Sequence, residues 1–132
     1  MRLRAHDLAV DLPPKWEGRI FRHPGGEPTM HAANFALPPE DGNYGARATG
    51  SMGKGGAFVA ITEFEPELVN EPLFHRGGLP RKLRAADLHP RSMMRPRPGF
   101  AGVQRFFTTG GGRSACTWSS GTNPAAAGCA TW

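Results

Sequence analysis

The first stretch whose composition could do chemistry is a glycine-rich heptapeptide, Gly50-Ser-Met-Gly-Lys-Gly-Gly56. In a phosphate-binding loop, glycine amides and a following helix cradle the phosphate, and a Ser or Thr after the lysine holds magnesium. Here Gly55 stands at the Ser/Thr position, and the residues that follow have the pattern of a strand. The heptapeptide is therefore interpreted as a flexible loop, and no nucleotide cofactor is predicted.

Histidines and carboxylates are the next candidates. The five histidines never fall at the spacing of metal ligands, and no cysteine pair supports them. His31 is expected to be a hydrogen-bonded core histidine. Glu63, Glu65 and Glu67 are close enough in sequence for acid–base work, but Pro66 marks a helix start that explains the last two. The sequence thus predicts no metal, no cofactor and no catalytic residue.

A basic run could contact phosphates or an acidic protein partner. It comprises Arg76, Arg81, Lys82, Arg84, Arg91, Arg95 and Arg97. Aromatic residues that would stack on bases are not interleaved with it, since Phe74 and Phe100 only flank it. The pattern favours a solvated basic face, with an acidic protein partner and nucleic acid as the functional alternatives.

Composition limits the class of protein. The 132 residues suit one domain, and 18 glycines with 13 prolines are typical of short strands joined by turns. Thirteen of the 16 basic residues are arginine, as GC-rich codons produce, so the net charge of +5 is weak evidence for nucleic acid. No apolar run reaches the ~18 residues of a membrane span. Without a secretory signal or a cysteine framework, a cytoplasmic protein is expected.

Alternating apolar residues and turn signals predict the strands. The predicted strands are 8–12, 18–22, 30–37, 57–64 and 103–109. The Pro-Gly-Gly turn at 24–26 predicts a hairpin of the second and third strands. Residues 40–56 are expected to form a long loop with one helical turn. Ala57–Phe64 is apolar on both faces and is expected to be central. The fold class predicted is α+β: a mostly antiparallel sheet of about five or six strands with a few short helices.

The last twenty residues depart from this pattern. Residues 113–132 contain both cysteines and two of the three tryptophans, with no apolar period. Back-translated with G or C in third positions and shifted by one register, they encode an apolar, strand-like run. The prediction is a domain over 1–112 and an irregular tail over 113–132, with an out-of-frame origin as the hypothesis and a genuine disordered tail as the alternative. The strand 103–109 would then lack a partner on its edge.

Four blocks carry a resemblance: LAVDLPPKWEGRIFRHP, MHAANFALP, GAFVAITEF and GVQRFF. Over residues 1–112 the chain resembles small uncharacterised proteins of GC-rich actinobacteria, and its opening strand with Leu-Pro-x-x-Trp more remotely resembles PsbP-like α+β domains. The resemblance implies an antiparallel sheet packed against helices. It implies no catalytic residues.

Function follows by elimination of the chemical candidates. A non-catalytic binding or accessory domain is the favoured interpretation. The alternative is a weak nucleic-acid-binding protein that uses the Arg76–Arg97 face.

Overall fold

Antiparallel sheet dominates the architecture. The computed structural model describes residues 1–6, 8–64, 85–93, 97–109 and 112–121. Within them a two-stranded sheet, β1-β2, accompanies a five-stranded sheet of order β3-β4-β5-β7-β6. The strands are β1 (Arg2–Ala5), β2 (Leu8–Asp11), β3 (Glu17–Phe21), β4 (Thr29–Ala33), β5 (Ala57–Phe64), β6 (Phe100–Thr109) and β7 (Gly112–Gly121). One α-helix in the described part, α1 (Ala46–Ser51), and 3₁₀ turns at Ala85–Asp87 and Pro90–Ser92 complete it.

Strand β5 is the centre of the large sheet, as its two apolar faces predict. Val59 and Ile61 belong to one buried cluster, which the β1–β2 hairpin covers through Val10. Phe58 and Ala60 face the opposite side. That second cluster also holds residues from β4, from α1 and its C-cap, from the segment before β6 and from the start of β6 (Ala33, Ala48, Met52, Met93 and Phe100). The sheet is therefore covered on both faces, which explains the near-continuous apolar run of β5.

The hairpin β3–β4 is confirmed, but β4 ends earlier than the alternation predicts. Its register pairs Glu17 with Ala33 and Phe21 with Thr29. Asn34 then ends the ladder, because its side-chain amide donates to the carbonyl of Gly55 at 2.9 Å and accepts from the amide of Ala57 at 2.8 Å. The chain turns away here.

The sequence pattern does not predict strand β1, because its alternating arginines leave only one apolar side chain in the strand centre. Leu3 supplies that side chain and packs with Leu12 against the first cluster. A Cβ atom placed on Gly18 would lie 2.6 Å from a methyl carbon of each of these leucines. Glycine at position 18 thus lets the small hairpin lie directly on the large sheet.

The prediction of an irregular tail is wrong for residues 113–121, which belong to strand β7 (Gly112–Gly121). Cys116–Ser120 pairs along its full length with β6, from Cys116 opposite Arg105 to Ser120 opposite Ala101. On its other side, β7 pairs with β5 from Ala57 to Phe64. The physical reason is that ladder bonds come from the backbone, and no proline interrupts the chain before Pro124. The strand 103–109 therefore has the partner that was expected to be missing.

Residues 122–132 lie outside the described residues. Over residues 113–121 the reading-frame hypothesis loses its structural argument, the strand without a partner, and it stays a prediction for residues 122–132. The predicted helix that begins near Pro66 also lies outside the described residues.

Helix α1 confirms the helical turn predicted within residues 40–56, and its start depends on a glycine. Gly45 is the N-cap residue with φ 71° and ψ 39°. This left-handed conformation is unfavourable for residues that carry a Cβ atom. A Cβ atom on Gly45 would also overlap the ring of Phe58. The helix can rest on the sheet because this position has no side chain.

Gly45→Ala should lower the free energy of unfolding by about 2–4 kcal/mol, because it combines a left-handed φ with overpacking against Phe58. Urea unfolding followed by circular dichroism measures the change. Gly50→Ala is the matched control: the same substitution lies in open space within α1 and should stabilise by up to about 1 kcal/mol. Equal effects of the two substitutions would contradict this role of Gly45.

Candidate functional site

A groove open to solvent lies beside the end of β3. Its volume is about 630 Å³, and its walls come from β3 and the turn after it, the loop before α1, and the first turn of α1. The lining residues are Arg19, Phe21, Arg22, His23, Pro39, Glu40, Asp41, Gly42 and Arg47. Three separate segments of the chain thus meet at one concave surface.

Residues 37–43, here called the wall loop, are held by side chains of the β3–β4 hairpin. Glu17 accepts the amide of Leu37 at 2.5 Å. The guanidinium of Arg19 donates to the carbonyls of Pro38 and Pro39 at 2.7 and 2.8 Å. Two imidazoles hold the rest of the loop: His23 Nε2 lies 3.0 Å from the carbonyl of Asp41, and His31 Nε2 lies 2.8 Å from that of Asn43. These side chains form hydrogen bonds with the backbone of the wall loop, as the backbone of a neighbouring strand does in a sheet.

Asp41 connects the wall loop to α1. Its Oδ1 accepts the amides of Gly42 at 2.9 Å and Arg47 at 3.0 Å, and its Oδ2 accepts the amide of Ala48 at 2.8 Å. The last two donors belong to the first turn of the helix, where backbone N–H groups have no partner within the helix. Asp41 therefore does the work of an N-cap from four residues before Gly45, and it is buried with 8% of its surface exposed.

A chain of four aromatic rings runs from the groove to the core. His23 is exposed and meets Phe21 edge-to-face, with ring centroids 5.1 Å apart. Phe21 meets His31 at 4.8 Å, and His31 meets the fully buried Phe58 at 5.0 Å, both again edge-to-face. Such contacts are specific in geometry, so they fix the floor of the groove relative to the central strand.

His31 is the core histidine that the sequence predicts. It is 2% exposed, and its burial lowers the pKa of the imidazole below the ordinary 6.5. The charge of Arg19 and the neighbouring His23 act in the same direction, whereas the hydrogen bond to Asn43 and the carboxylate of Asp41 oppose it. The neutral ring dominates at pH 7. Its proton lies on Nε2, because the carbonyl of Asn43 can only accept.

Few charged groups of the groove remain available to a ligand. The carboxylate of Asp41 and the guanidinium of Arg19 are engaged by the backbone, as described above. Arg22 is exposed and uses Nε to donate to the carbonyl of Gly26 at 2.7 Å. Arg47 is exposed, and within the described residues no hydrogen bond or ion pair engages its guanidinium. With the exposed carboxylate of Glu40, two cations and one anion face the solvent.

The predicted basic face is described at two of its seven positions. Arg91 is exposed in the turn Pro90–Ser92. Arg97 has an internal role: its Nη1 donates to the carbonyls of Thr49 and Met52 at 2.8 and 2.9 Å, and its guanidinium carbon lies 4.2 Å from the ring centre of Phe100. It thereby closes the C-terminus of α1. The others (Arg76, Arg81, Lys82, Arg84 and Arg95) lie outside the described residues.

The glycine-rich heptapeptide 50–56 connects the end of α1 to β5. A helix precedes it and a strand follows it, the reverse of the order in a phosphate-binding loop. Over the ranges that the structure describes, no group of three or more His, Cys, Asp or Glu side chains gathers as metal ligands do. Of the three clustered glutamates, Glu63 lies at the end of β5, and Glu65 and Glu67 are outside the described residues.

The groove itself has no signal that sequence reasoning could use. An N-cap is recognised as Ser, Thr, Asp or Asn directly before a helix, but Asp41 acts from a distance across a loop. The two histidines that bind the wall loop, His23 and His31, are eight residues apart in sequence. The register of the β3–β4 hairpin places both of them against Phe21.

Neither a protein-family model, nor a curated protein, nor a solved structure matches this chain. The fold and the groove therefore stand on the described geometry alone. None of the helices in the described part of the chain has the length and apolar character that crossing a membrane requires.

Lowering the pH below 6.5 should reduce the stability that His31 contributes. Its pKa is lower in the folded chain than the 6.5 of the unfolded chain, so between these values the unfolded state binds the proton more readily. The contribution is complete above pH 6.5 and is lost as the pH falls towards the folded pKa. Urea unfolding between about pH 5 and pH 8 measures this dependence.

His31→Gln keeps an N–H donor for the carbonyl of Asn43 and removes the titrating group. The slope of the unfolding free energy against pH should therefore be smaller in this variant, whatever its absolute stability. His89→Gln changes an exposed imidazole on another segment and serves as the control. An unchanged slope in His31→Gln would contradict the assignment.

Proposed function

We propose that this protein is a non-catalytic binding domain and that the groove beside β3 is its ligand site. The observation that carries the proposal is the groove of about 630 Å³, because small-molecule sites are concave and have volumes of this order. The proposal includes a cytoplasmic location and an α+β classification, with α1 packed on one face of the sheet.

The hydrogen bonding of the groove supports binding over catalysis. Acid–base and nucleophilic catalysis need side chains that are free to exchange protons or to attack a substrate. The carboxylate of Asp41 instead accepts three backbone amides, and the Nε2 atoms of His23 and His31 lie against carbonyls. These groups hold the wall of the groove in place before a ligand binds. They serve to shape the site and not to transfer protons.

Weak nucleic-acid binding through the basic residues from Arg76 to Arg97 is the second proposal. The exposed Arg91 is the observation that favours it. Arg97 adds little to such a face, because its guanidinium is held by the carbonyls at the end of α1. An acidic protein partner would use the same residues.

Gly42→Trp should abolish ligand binding in the groove. Gly42 lines the groove, and a Cβ atom built on it meets no heavy atom within 4 Å, so an indole can fill the space without disturbing the loop. A fragment library is screened by amide chemical-shift changes in the wild type, in Gly42→Trp and in Gly53→Trp. Gly53 is the matched control, since it has the same open space in the turn after α1.

The expected result is a set of fragments that shift the amides of groove residues in the wild type and in Gly53→Trp but not in Gly42→Trp. Fragments that bind Gly42→Trp equally well would overturn the proposal. So would a screen without any groove hits in which an oligonucleotide binds with an affinity that falls steeply with salt, the signature of phosphate contacts.

A further inference from the structure

We infer that the ligand of the groove is a small organic molecule bearing a carboxylate or a phosphate, which the guanidiniums of Arg22 and Arg47 bind. This inference rests on the groove being the ligand site proposed above. It goes further by naming the chemical class of the ligand and the residues that recognise it.

The two arginines come from different elements of the groove. Arg22 follows the end of β3, and Arg47 lies in the first turn of α1. Within the described residues Arg22 donates through Nε alone, which leaves both Nη groups to donate, and the Arg47 guanidinium has no partner there. A guanidinium with free parallel N–H groups matches the two oxygens of a carboxylate or phosphate.

Two of the other charged side chains around the groove are held by hydrogen bonds to the backbone, and the opposite charges of Arg19 and Asp41 offset each other. Arg19 donates to the carbonyls of Pro38 and Pro39, and Asp41 accepts three amides. Glu40 is the exposed carboxylate among the lining residues. Two available cations and one anion give a local excess of a single positive charge, which suits a ligand of low charge. A polynucleotide requires a longer track of cations, and Glu40 would repel it.

The size of the groove favours a ligand that is larger than the oxyanion alone. A volume of about 630 Å³ far exceeds what a lone phosphate fills. The half-buried ring of Phe21 and the ring of Pro39 offer apolar surface beside the arginines. A body with a planar or apolar face would cover them while its anionic end contacts the guanidiniums.

Calorimetric titration tests this inference with three probes: phenyl phosphate, benzoate and uncharged benzamide. The two anions should bind the wild type about tenfold more tightly than benzamide, because hydrogen bonds to charged groups exceed neutral ones by this order. Arg47→Gln should weaken the anions about tenfold and leave benzamide unchanged. Arg47→Lys keeps the charge but loses the fork, and its affinity for the anions should fall between the two.

Arg4→Gln is the matched control, since it removes an equal charge from an exposed position on β1. It should leave all three affinities within about twofold of the wild type, as expected when long-range effects are screened. Benzamide binding as tightly as the anions would overturn the inference while the groove remains a ligand site. Anion binding that Arg47→Gln leaves unchanged, or weakens no more than Arg4→Gln does, would also overturn it. The tighter of the two anions identifies the oxyanion.

Discussion

The carboxylate of Asp41 is the interaction on which both the groove and helix α1 depend. It accepts amides from its own loop and from the first turn of α1, while its backbone carbonyl lies 3.0 Å from the imidazole of His23. A six-residue helix is too short to be stable alone, because nucleation costs more than one turn returns. Asp41 and the buried contacts of Met52 and Ala48 compensate for this cost. The wall of the groove and the helix are thus one hydrogen-bonded unit.

The wall loop is fixed to an edge of the sheet by side chains, and these hydrogen bonds determine which polar groups of the site are left for a ligand. Arg19, His23 and His31 each donate to loop carbonyls, so their polar groups belong to the scaffold. The ring contacts from His23 through Phe21 to His31 and Phe58 extend the same scaffold into the core. Among the described residues, what remains for a ligand is a surface with the guanidinium of Arg47 and the two Nη groups of Arg22.

Sequence reasoning succeeded where a local pattern determines the structure. The double-faced apolar run of β5, the turn between β3 and β4 and the burial of His31 all follow from residue type and alternation. It failed for β7, where Ser, Ala and Gly give no apolar period and the pairing comes from the backbone of two neighbours. It also missed the groove, whose residues from β3, the wall loop and α1 meet only through tertiary packing.

Amide hydrogen exchange at Arg47 and Ala48 tests the central role of Asp41 most directly. In the wild type both amides should be protected, because they donate to the buried carboxylate at 3.0 and 2.8 Å. In Asp41→Ala they should exchange at least about tenfold faster while the amides of β5 keep their protection, since only the local unit opens. Asp11→Ala removes an exposed carboxylate and should change neither. Equal protection of Arg47 and Ala48 in Asp41→Ala and the wild type would contradict the account.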